Sequence, residues 1–324
     1  IIIIISVVSS IISPIFIKVL IKKIEPKKEE IERIKQEEIY AKSILSKINR
    51  VLLPVRFRTD LNVAAAKSIE AGILEAIGSK KKLSITLLTI VNDQDKSKAQ
   101  SFLDGVASSF QKSEINIKII VANNALEKIL EESKKDYDLL VIGATEKQSN
   151  SELVFNTFID NLIRFSPCPS LIVQGHAALE EKKSKKILVP TDGSKASKRA
   201  AEVAFALTTN ENDEVHILRV VEEKTSLDEM VTKNHILDRQ FNYAQEIVNE
   251  LKAIGESLSV KTYTKVEIGL NPESVIVEVA EKNNFDLVII GSDVRPGSDK
   301  LFLGPKVEKI LVSCDRPVIV VNSF

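Results

Sequence analysis

An internal repeat is the feature of this 324-residue sequence that most constrains its fold. Apolar segments of the first half return in the second half in the same order: VLLPV before ILVPT, DLLVIG before DLVIIG, and SPCPSLIV before SCDRPVIVV. The paired segments are more than about 100 residues apart, a separation that indicates two duplicated domains rather than a solenoid of short repeats. The length of the chain also fits about two domains.

Within each half, short segments rich in Val, Ile and Leu alternate with amphipathic helical segments. Nearly continuous apolar strands that alternate with helices are typical of a parallel sheet covered by helices on both faces. We therefore predict an α/β protein with two tandem, open, parallel-sheet, doubly wound domains at 50–176 and 186–324. A charged linker at 177–185 joins them.

The first 49 residues differ from this pattern. Residues 1–17 contain no charged side chain, and as a helix they would span about 26 Å, close to the hydrocarbon thickness of a bilayer. Basic residues follow directly, which favours a cytoplasmic exit, whereas a signal peptide carries its basic residues before the apolar run. We predict the end of a transmembrane helix over 1–23 and a charged linker helix over 24–49. A buried soluble helix or a strand is the alternative for the apolar run.

The chain begins with isoleucine and not with methionine, so we interpret it as part of a longer protein. Lys and Arg number 45, as do Asp and Glu; without a basic excess we expect no nucleic-acid partner. Two cysteines and three histidines without ligand spacing argue against a disulfide framework, a zinc site or histidine-based catalysis. We expect no enzyme, with a nucleotide hydrolase as the weaker alternative.

The candidate binding residues follow the strands of the second half, because ligands of open parallel sheets bind beyond the carboxyl ends of the strands. Asp192 follows the first of these strands, where it can accept hydrogen bonds from a sugar or a base, or serve only as a turn carboxylate. A glycine-bearing loop from Gly291 to Gly304 precedes the last helix, and such a loop either binds phosphate through backbone N–H groups or is a structural turn. The candidates are Pro190, Thr191, Asp192, Gly291, Ser292, Arg295, Gly304 and Pro305.

Four segments of the second half resemble the universal stress protein family: VPTDGSKASKRAAEVA (189–204), VEIGLNPESVIVEVA (266–280), DLVIIGS (286–292) and CDRPVIVV (314–321). The first half resembles it more loosely. The ATP-binding branch of that family carries G-x2-G-x9-G-[ST] after the fourth strand. Gly291 and Gly304 match its first and third glycines, whereas Val294 and Pro305 replace the second glycine and the Ser/Thr. The resemblance implies ATP or another adenine nucleotide in the second half, with part of the pocket lost.

The first half departs further from the family motif. Arg56 stands in place of the aspartate, Glu146 in place of the second glycine, and Asn156-Thr157 in place of the final pair. A glutamate beside a triphosphate would repel it, so we predict no ATP in this half by that route. Arg56 and Arg58 are instead candidates for binding a different anion or for a domain contact.

The whole arrangement is similar to the cytoplasmic tail of monovalent cation:proton antiporters. This resemblance implies a regulatory, ligand-sensing module attached to an upstream antiporter membrane domain. It implies contact with the lipid bilayer through residues 1–23, a membrane location with residues after about 23 on the cytoplasmic side, and a homodimer. The alternative is a structural or dimerising tail with no ligand.

Overall fold

The computed structural model describes residues 43–57, 68–79, 81–144, 157–175, 184–223, 230–292 and 303–322. The predicted end of a membrane helix at 1–23 lies outside these residues, as does most of the predicted linker helix. Among the described helices, none combines the length and the apolarity needed to cross a membrane.

The end of the predicted linker helix is wrong. Ile44–Lys47 forms a four-residue 3-10 helix, and the first strand begins at Arg50. Ser43 caps this short helix, since its hydroxyl accepts a hydrogen bond from the N–H of Leu45 at 3.1 Å. Ile48 is already extended and is buried, because the chain turns here into the sheet rather than continuing as a solvated helix.

The two halves contain the same succession of elements, as predicted. The first copy comprises β1 (Arg50–Pro54), α1 (Ser68–Gly78), β2 (Ser84–Val91), α2 (Lys96–Ala107), β3 (Glu114–Val121), α3 (Ala125–Ser133), β4 (Leu139–Ala144), α4 (Thr157–Phe165) and β5 (Ser170–Gln174). The second copy comprises β6 (Lys186–Pro190), α5 (Lys195–Leu207), β7 (Glu214–Glu222), α6 (Met230–Ser257), β8 (Lys261–Gly269), α7 (Pro272–Lys282), β9 (Leu287–Ser292), α8 (Pro305–Ser313) and β10 (Val318–Asn322). The α/β prediction and the duplication are confirmed.

Ten strands form a single sheet in the order β3-β2-β1-β4-β5-β10-β9-β6-β7-β8. The pairs within each copy are parallel. The pair that joins the copies, β5 with β10, is antiparallel, with Gln174 opposite Val318 and Ser170 opposite Asn322. Each copy thus has the predicted open parallel order. The last strand of each copy forms backbone hydrogen bonds with the last strand of the other, so neither is an exposed edge strand.

The contact between the copies, here called the seam, continues into the helices. One apolar cluster contains residues from both copies, among them Ile129, Ile159, Ile276, Ile310 and Val320. At the sheet, the Asn322 side chain donates a hydrogen bond to the Ser170 hydroxyl at 3.3 Å. The Gln174 amide donates to the carbonyl of Leu311 in α8 at 3.3 Å. The copies therefore share a core as well as a sheet.

A buried carboxylate stabilises the outer part of the first copy. The side chain of Glu132 is 4% exposed and accepts hydrogen bonds from Lys118 at 2.7 Å, Lys135 at 2.8 Å and Tyr137 at 3.0 Å. Desolvation raises the pKa of Glu132, but the bonds from the two lysines and the tyrosine outweigh it and hold the pKa below its usual value. The ionised form is thus favoured in the folded state.

Replacing Glu132 with alanine is expected to destabilise the protein by about 2 kcal/mol at pH 7, because it removes the acceptor of three hydrogen bonds, one of them from the buried Tyr137 hydroxyl. Because folding lowers this pKa, the contribution is present above the unfolded pKa near 4.5 and is lost as the pH falls below it. Urea unfolding at pH 7 and pH 3.5 measures both effects. Glu131→Ala, which removes an exposed ion pair with Lys128, is the control and should cost less than about 1 kcal/mol. Equal losses for the two variants would contradict this assignment.

Two acids from different copies act on each other at the seam. Desolvation and, to a smaller extent, the charge of Glu308 in α8 together raise the pKa of Asp160 in α4 from 3.8 to about 6. The nearby bases of α8 are engaged elsewhere: Lys306 with Glu222 and Lys309 with Glu273. The ionised form of Asp160 is therefore disfavoured in the folded state.

Asp160→Asn is expected to stabilise the protein by about 2 kcal/mol at pH 7.5, because it removes a charge that folding disfavours. A raised folded pKa means that wild-type stability rises as the pH falls through about 6, so the advantage of the variant should vanish near pH 4. Thermal and urea unfolding at the two pH values give the comparison. A variant that is destabilised at pH 7.5 would show that the carboxylate has a stabilising partner instead.

Candidate functional site

The strand order reverses between β6 and β9 in the second copy. The chain moves outward from β6 through β7 to β8, then returns to place β9 on the other side of β6. The two central strands are parallel and in register, with Leu188 opposite Val288, so their carboxyl ends lie at one edge. Ligands of open α/β sheets usually bind beyond the strand ends at such a reversal, and we call this position the crevice.

The turn after β6 is fixed by a network of short hydrogen bonds. The N–H of Thr191 donates to the Leu218 carbonyl at 2.8 Å, which extends the pairing with β7. The Thr191 hydroxyl accepts from the N–H of Gly193 at 3.2 Å and lies 3.0 Å from the Ser197 hydroxyl. Gly193 has a φ of 83°, a backbone conformation that glycine adopts without strain. The hydroxyl of Ser194 accepts from the N–H of Ser197 at 3.2 Å and caps α5.

Asp192 is presented at this edge with an exposed side chain. Its Oδ1 accepts a hydrogen bond from the N–H of Ser194 at 2.9 Å. Desolvation raises the pKa of Asp192, but hydrogen bonds from Ser194 and Ser197 and the charge of Arg219 outweigh it and hold the pKa below its usual value. At neutral pH the carboxylate is ionised and can accept hydrogen bonds from hydroxyl or amino groups of a ligand.

Arg219 belongs to the site and was missed at the level of sequence. It follows Leu218, the residue opposite Pro190, so it extends past the end of β6. Its Nη1 donates to the carbonyl of Thr191 at 3.2 Å, while its buried Nε has no hydrogen-bond partner in the part of the chain that the structure describes. The sequence signal that could have marked the residue, though not its partner, is the single charge within the otherwise apolar segment ILRVV.

Gly291 and Ser292 have structural roles at the other side of the crevice. A Cβ on Gly291 would lie 2.1 Å from the carbonyl oxygen of Ala196, so the first turn of α5 packs directly on this residue. Ser292 is buried, and its hydroxyl donates to the carbonyl of Leu303 at 2.9 Å. Both residues therefore shape the site, and the Ser292 hydroxyl is committed to the backbone of Leu303.

Among the described residues, none crowds the start of α8 at Gly304. Gly304 caps this helix with a φ of 97°, Pro305 occupies its first turn, and a Cβ on Gly304 would meet no described atom within 4 Å. Lys306 in the same turn bonds to Glu222 at the end of β7, with 3.0 Å between Nζ and Oε2. Arg295 lies outside the described residues. Of the predicted residues, the structure thus brings the Pro190–Asp192 turn and the Gly291–Ser292 strand end to one edge.

The corresponding edge of the first copy has a different surface. Arg56 is exposed in the place of Asp192. Phe57, in the place of Gly193, packs edge-on against Phe102 of α2, with ring centroids 5.7 Å apart. Arg58, Glu146 and Asn156 lie outside the described residues. Across the described parts of both copies, no group of three or more His, Cys, Asp or Glu side chains is placed to hold a metal.

Gly291→Ala is expected to destabilise the protein by about 3 kcal/mol, because the added methyl group would overlap the backbone of α5. Gly304→Ala is the comparison variant: among the described residues it has open space, so it should cost less, about 1–2 kcal/mol, from a backbone conformation (φ 97°, ψ 141°) that favours glycine. Chemical unfolding of the two variants measures the difference. Equal, small losses would show that α5 does not pack against β9 this closely.

The comparison with known proteins agrees with this architecture. The model of the Universal stress protein family matches residues 59–174 and 183–322. Universal stress protein MJ0531 of Methanocaldococcus jannaschii is 32% identical over 140 residues, which cover 43% of this chain and 82% of that protein. The Universal stress protein E homolog of Haemophilus influenzae is 26% identical over 242 residues, 69% of this chain and 75% of that protein.

Among solved structures, a universal stress protein from Archaeoglobus fulgidus superposes with a TM-score of 0.58. It covers 85% of this chain and 98% of its own length at 19% identity, a likeness that concerns the fold. The two family matches together span most of the sequence, one in each copy. The chain therefore belongs to the universal stress protein family and carries two of its domains in tandem.

Proposed function

We propose that the chain is a cytosolic regulatory module of a membrane cation:proton antiporter, and that its second copy senses an adenine nucleotide. The observation that carries the nucleotide part is the crevice between β6 and β9, where an ionised Asp192 lies at the carboxyl edge of the sheet. The antiporter part is supported by the order of segments in the sequence: an uncharged apolar run, a basic exit, a charged linker and tandem domains.

In this proposal the two sides of the crevice recognise different parts of the ligand. The Asp192 carboxylate accepts hydrogen bonds from the ribose hydroxyls or from the amino group of the base. The phosphates approach the start of α8, where the helix dipole favours negative charge. Pro305 has no N–H, so the free donors of the first turn are the N–H groups of Lys306 and Val307. The Lys306 ammonium lies in the same turn and can add a positive charge.

The proposed module binds without turnover and acts through its membrane partner. A ligand shifts an exchanger between states only by the difference in its affinity for them, so the nucleotide must bind more tightly in one antiporter state. The first copy, with Arg56 in place of the aspartate, is not assigned a nucleotide. We also propose that the protein is a homodimer, bound to the lipid bilayer through residues 1–23.

Calorimetric titration of the 324-residue chain in detergent with ATP, ADP, AMP and cyclic dinucleotides tests the nucleotide part. We expect binding of at least one adenine nucleotide. Asp192→Asn keeps an acceptor for the Ser194 N–H but removes the charge, and should weaken binding about tenfold or more. Arg56→Ala, at the matching position of the first copy, is the control and should leave the affinity unchanged.

No heat with any of these ligands would contradict the sensor function. A chain that binds none of them and purifies as a monodisperse, nucleotide-free dimer would support the alternative, a structural or dimerising tail. The first copy favours that alternative for its own half, because Arg56 replaces the aspartate of the turn and Phe57, which packs against Phe102, replaces the glycine.

A further inference from the structure

Residues 43–48, here called the leading segment, touch both copies before the chain enters the sheet. Ser43, Leu45 and Ile48 are 8%, 3% and 4% exposed, so the segment is packed against the domains rather than solvated. The ammonium of Lys81, in the first copy, donates to the carbonyl of Ser46. The leading segment is thus fixed to both copies before β1 begins.

Among the described residues, the Ser43 hydroxyl is one link between the leading segment and the second copy. The Ser43 Oγ donates a hydrogen bond to Oε2 of Glu202 in α5 at 3.0 Å. The same oxygen accepts from the N–H of Leu45 at 3.1 Å and so caps the 3-10 helix. The Ser43 side chain therefore links the position of Glu202 to the conformation of the leading segment.

The other end of α5 forms the wall of the crevice. Ser194 caps the helix and donates its N–H to Asp192, and the backbone of Ala196 lies against Gly291. From Ser194 to Glu202 the helix rises roughly 12 Å. Many of its residues are small. The buried residues of the helix are Ala196, Ser197, Ala200, Ala201, Val203, Ala204, Phe205, Ala206 and Leu207. A helix packed this closely moves as a unit, because its neighbours leave it no room to bend.

We propose that α5 couples the nucleotide crevice of the second copy to the leading segment. A nucleotide held by Asp192 fixes the first turn of α5, and the helix carries that restraint to Glu202 and to the hydroxyl of Ser43. The leading segment is then held more firmly, and with it the attachment of the preceding chain. The ligand-dependent part of this inference rests on the proposed nucleotide binding.

The coupling must be reciprocal. If nucleotide binding tightens the leading segment, loosening the leading segment must loosen the first turn of α5 and weaken nucleotide binding by the same factor. This reciprocity makes the inference testable with and without a nucleotide. The amides of Leu45, Ser46 and Ile48 donate within the leading segment, and those of Ser197 and Lys198 donate at the start of α5.

Hydrogen exchange measured by mass spectrometry on the 324-residue chain in detergent tests the coupling. In the wild type, saturating ATP should slow exchange in residues 44–49 by about threefold or more. Glu202→Ala should abolish this change and weaken ATP binding. Without ATP, the same variant should speed exchange both in 44–49 and in 194–198. Ser43→Ala removes the same hydrogen bond from the other side and serves as the second variant.

Glu250→Ala is the matched control, because it removes an exposed ion pair between α6 and Lys198 of the same helix without touching the leading segment. It should change exchange in neither region. If ATP binds and exchange in 44–49 does not change, the coupling is overturned while the nucleotide site stands. If ATP does not bind, the proposed function fails, and the exchange measured without ATP tests the coupling alone. Faster exchange confined to 44–49 in both variants, with 194–198 unchanged, overturns the coupling.

Discussion

The antiparallel pairing of β5 with β10 is the constraint on which the rest of the structure depends. It converts two five-stranded sheets into one sheet of ten strands and removes two exposed edges. It also brings α4 and α8 close enough for Asp160 and Glu308 to influence each other. A chain with this pairing behaves as one body, so an event in one copy is not isolated from the other.

The same pairing sets the direction of the two crevices. Because β5 and β10 are antiparallel, the strands of the two copies run in opposite directions. Their carboxyl ends therefore point to opposite sides of the common sheet along the strand direction. One crevice keeps the turn with Asp192 and Gly193, and the other has Arg56 and Phe57 there. A duplicated fold has thus diverged by substitution at a turn while its framework stayed the same. The result is an asymmetric molecule in which sensing and support can belong to different copies.

Much of the fold was predictable from the sequence, because each buried strand appears twice as a nearly unbroken apolar run. The pairing of β5 with β10 was not predictable, since their apolar sequences fit an edge strand of a sheet as well as an internal one. The linker helix predicted from the sequence reaches too far along the chain. The charge pattern around Glu29 and Lys47 suits a solvated helix, but Leu45 and Ile48 are buried in the core. In the candidate site, Asp192 was found from its place after a strand. Arg219 was not, because its partner is a backbone carbonyl that no sequence pattern identifies.

The central claim is that a nucleotide occupies the crevice of the second copy and not that of the first. Photo-crosslinking of the 324-residue chain with 8-azido-ATP, followed by mass spectrometric mapping, tests it most directly. The account predicts labelled peptides from 190–194 or 214–222 that disappear when excess ATP competes, and no competed label in 50–57. Competed labelling at 50–57, or labelling of the second crevice that excess ATP does not reduce, would contradict it.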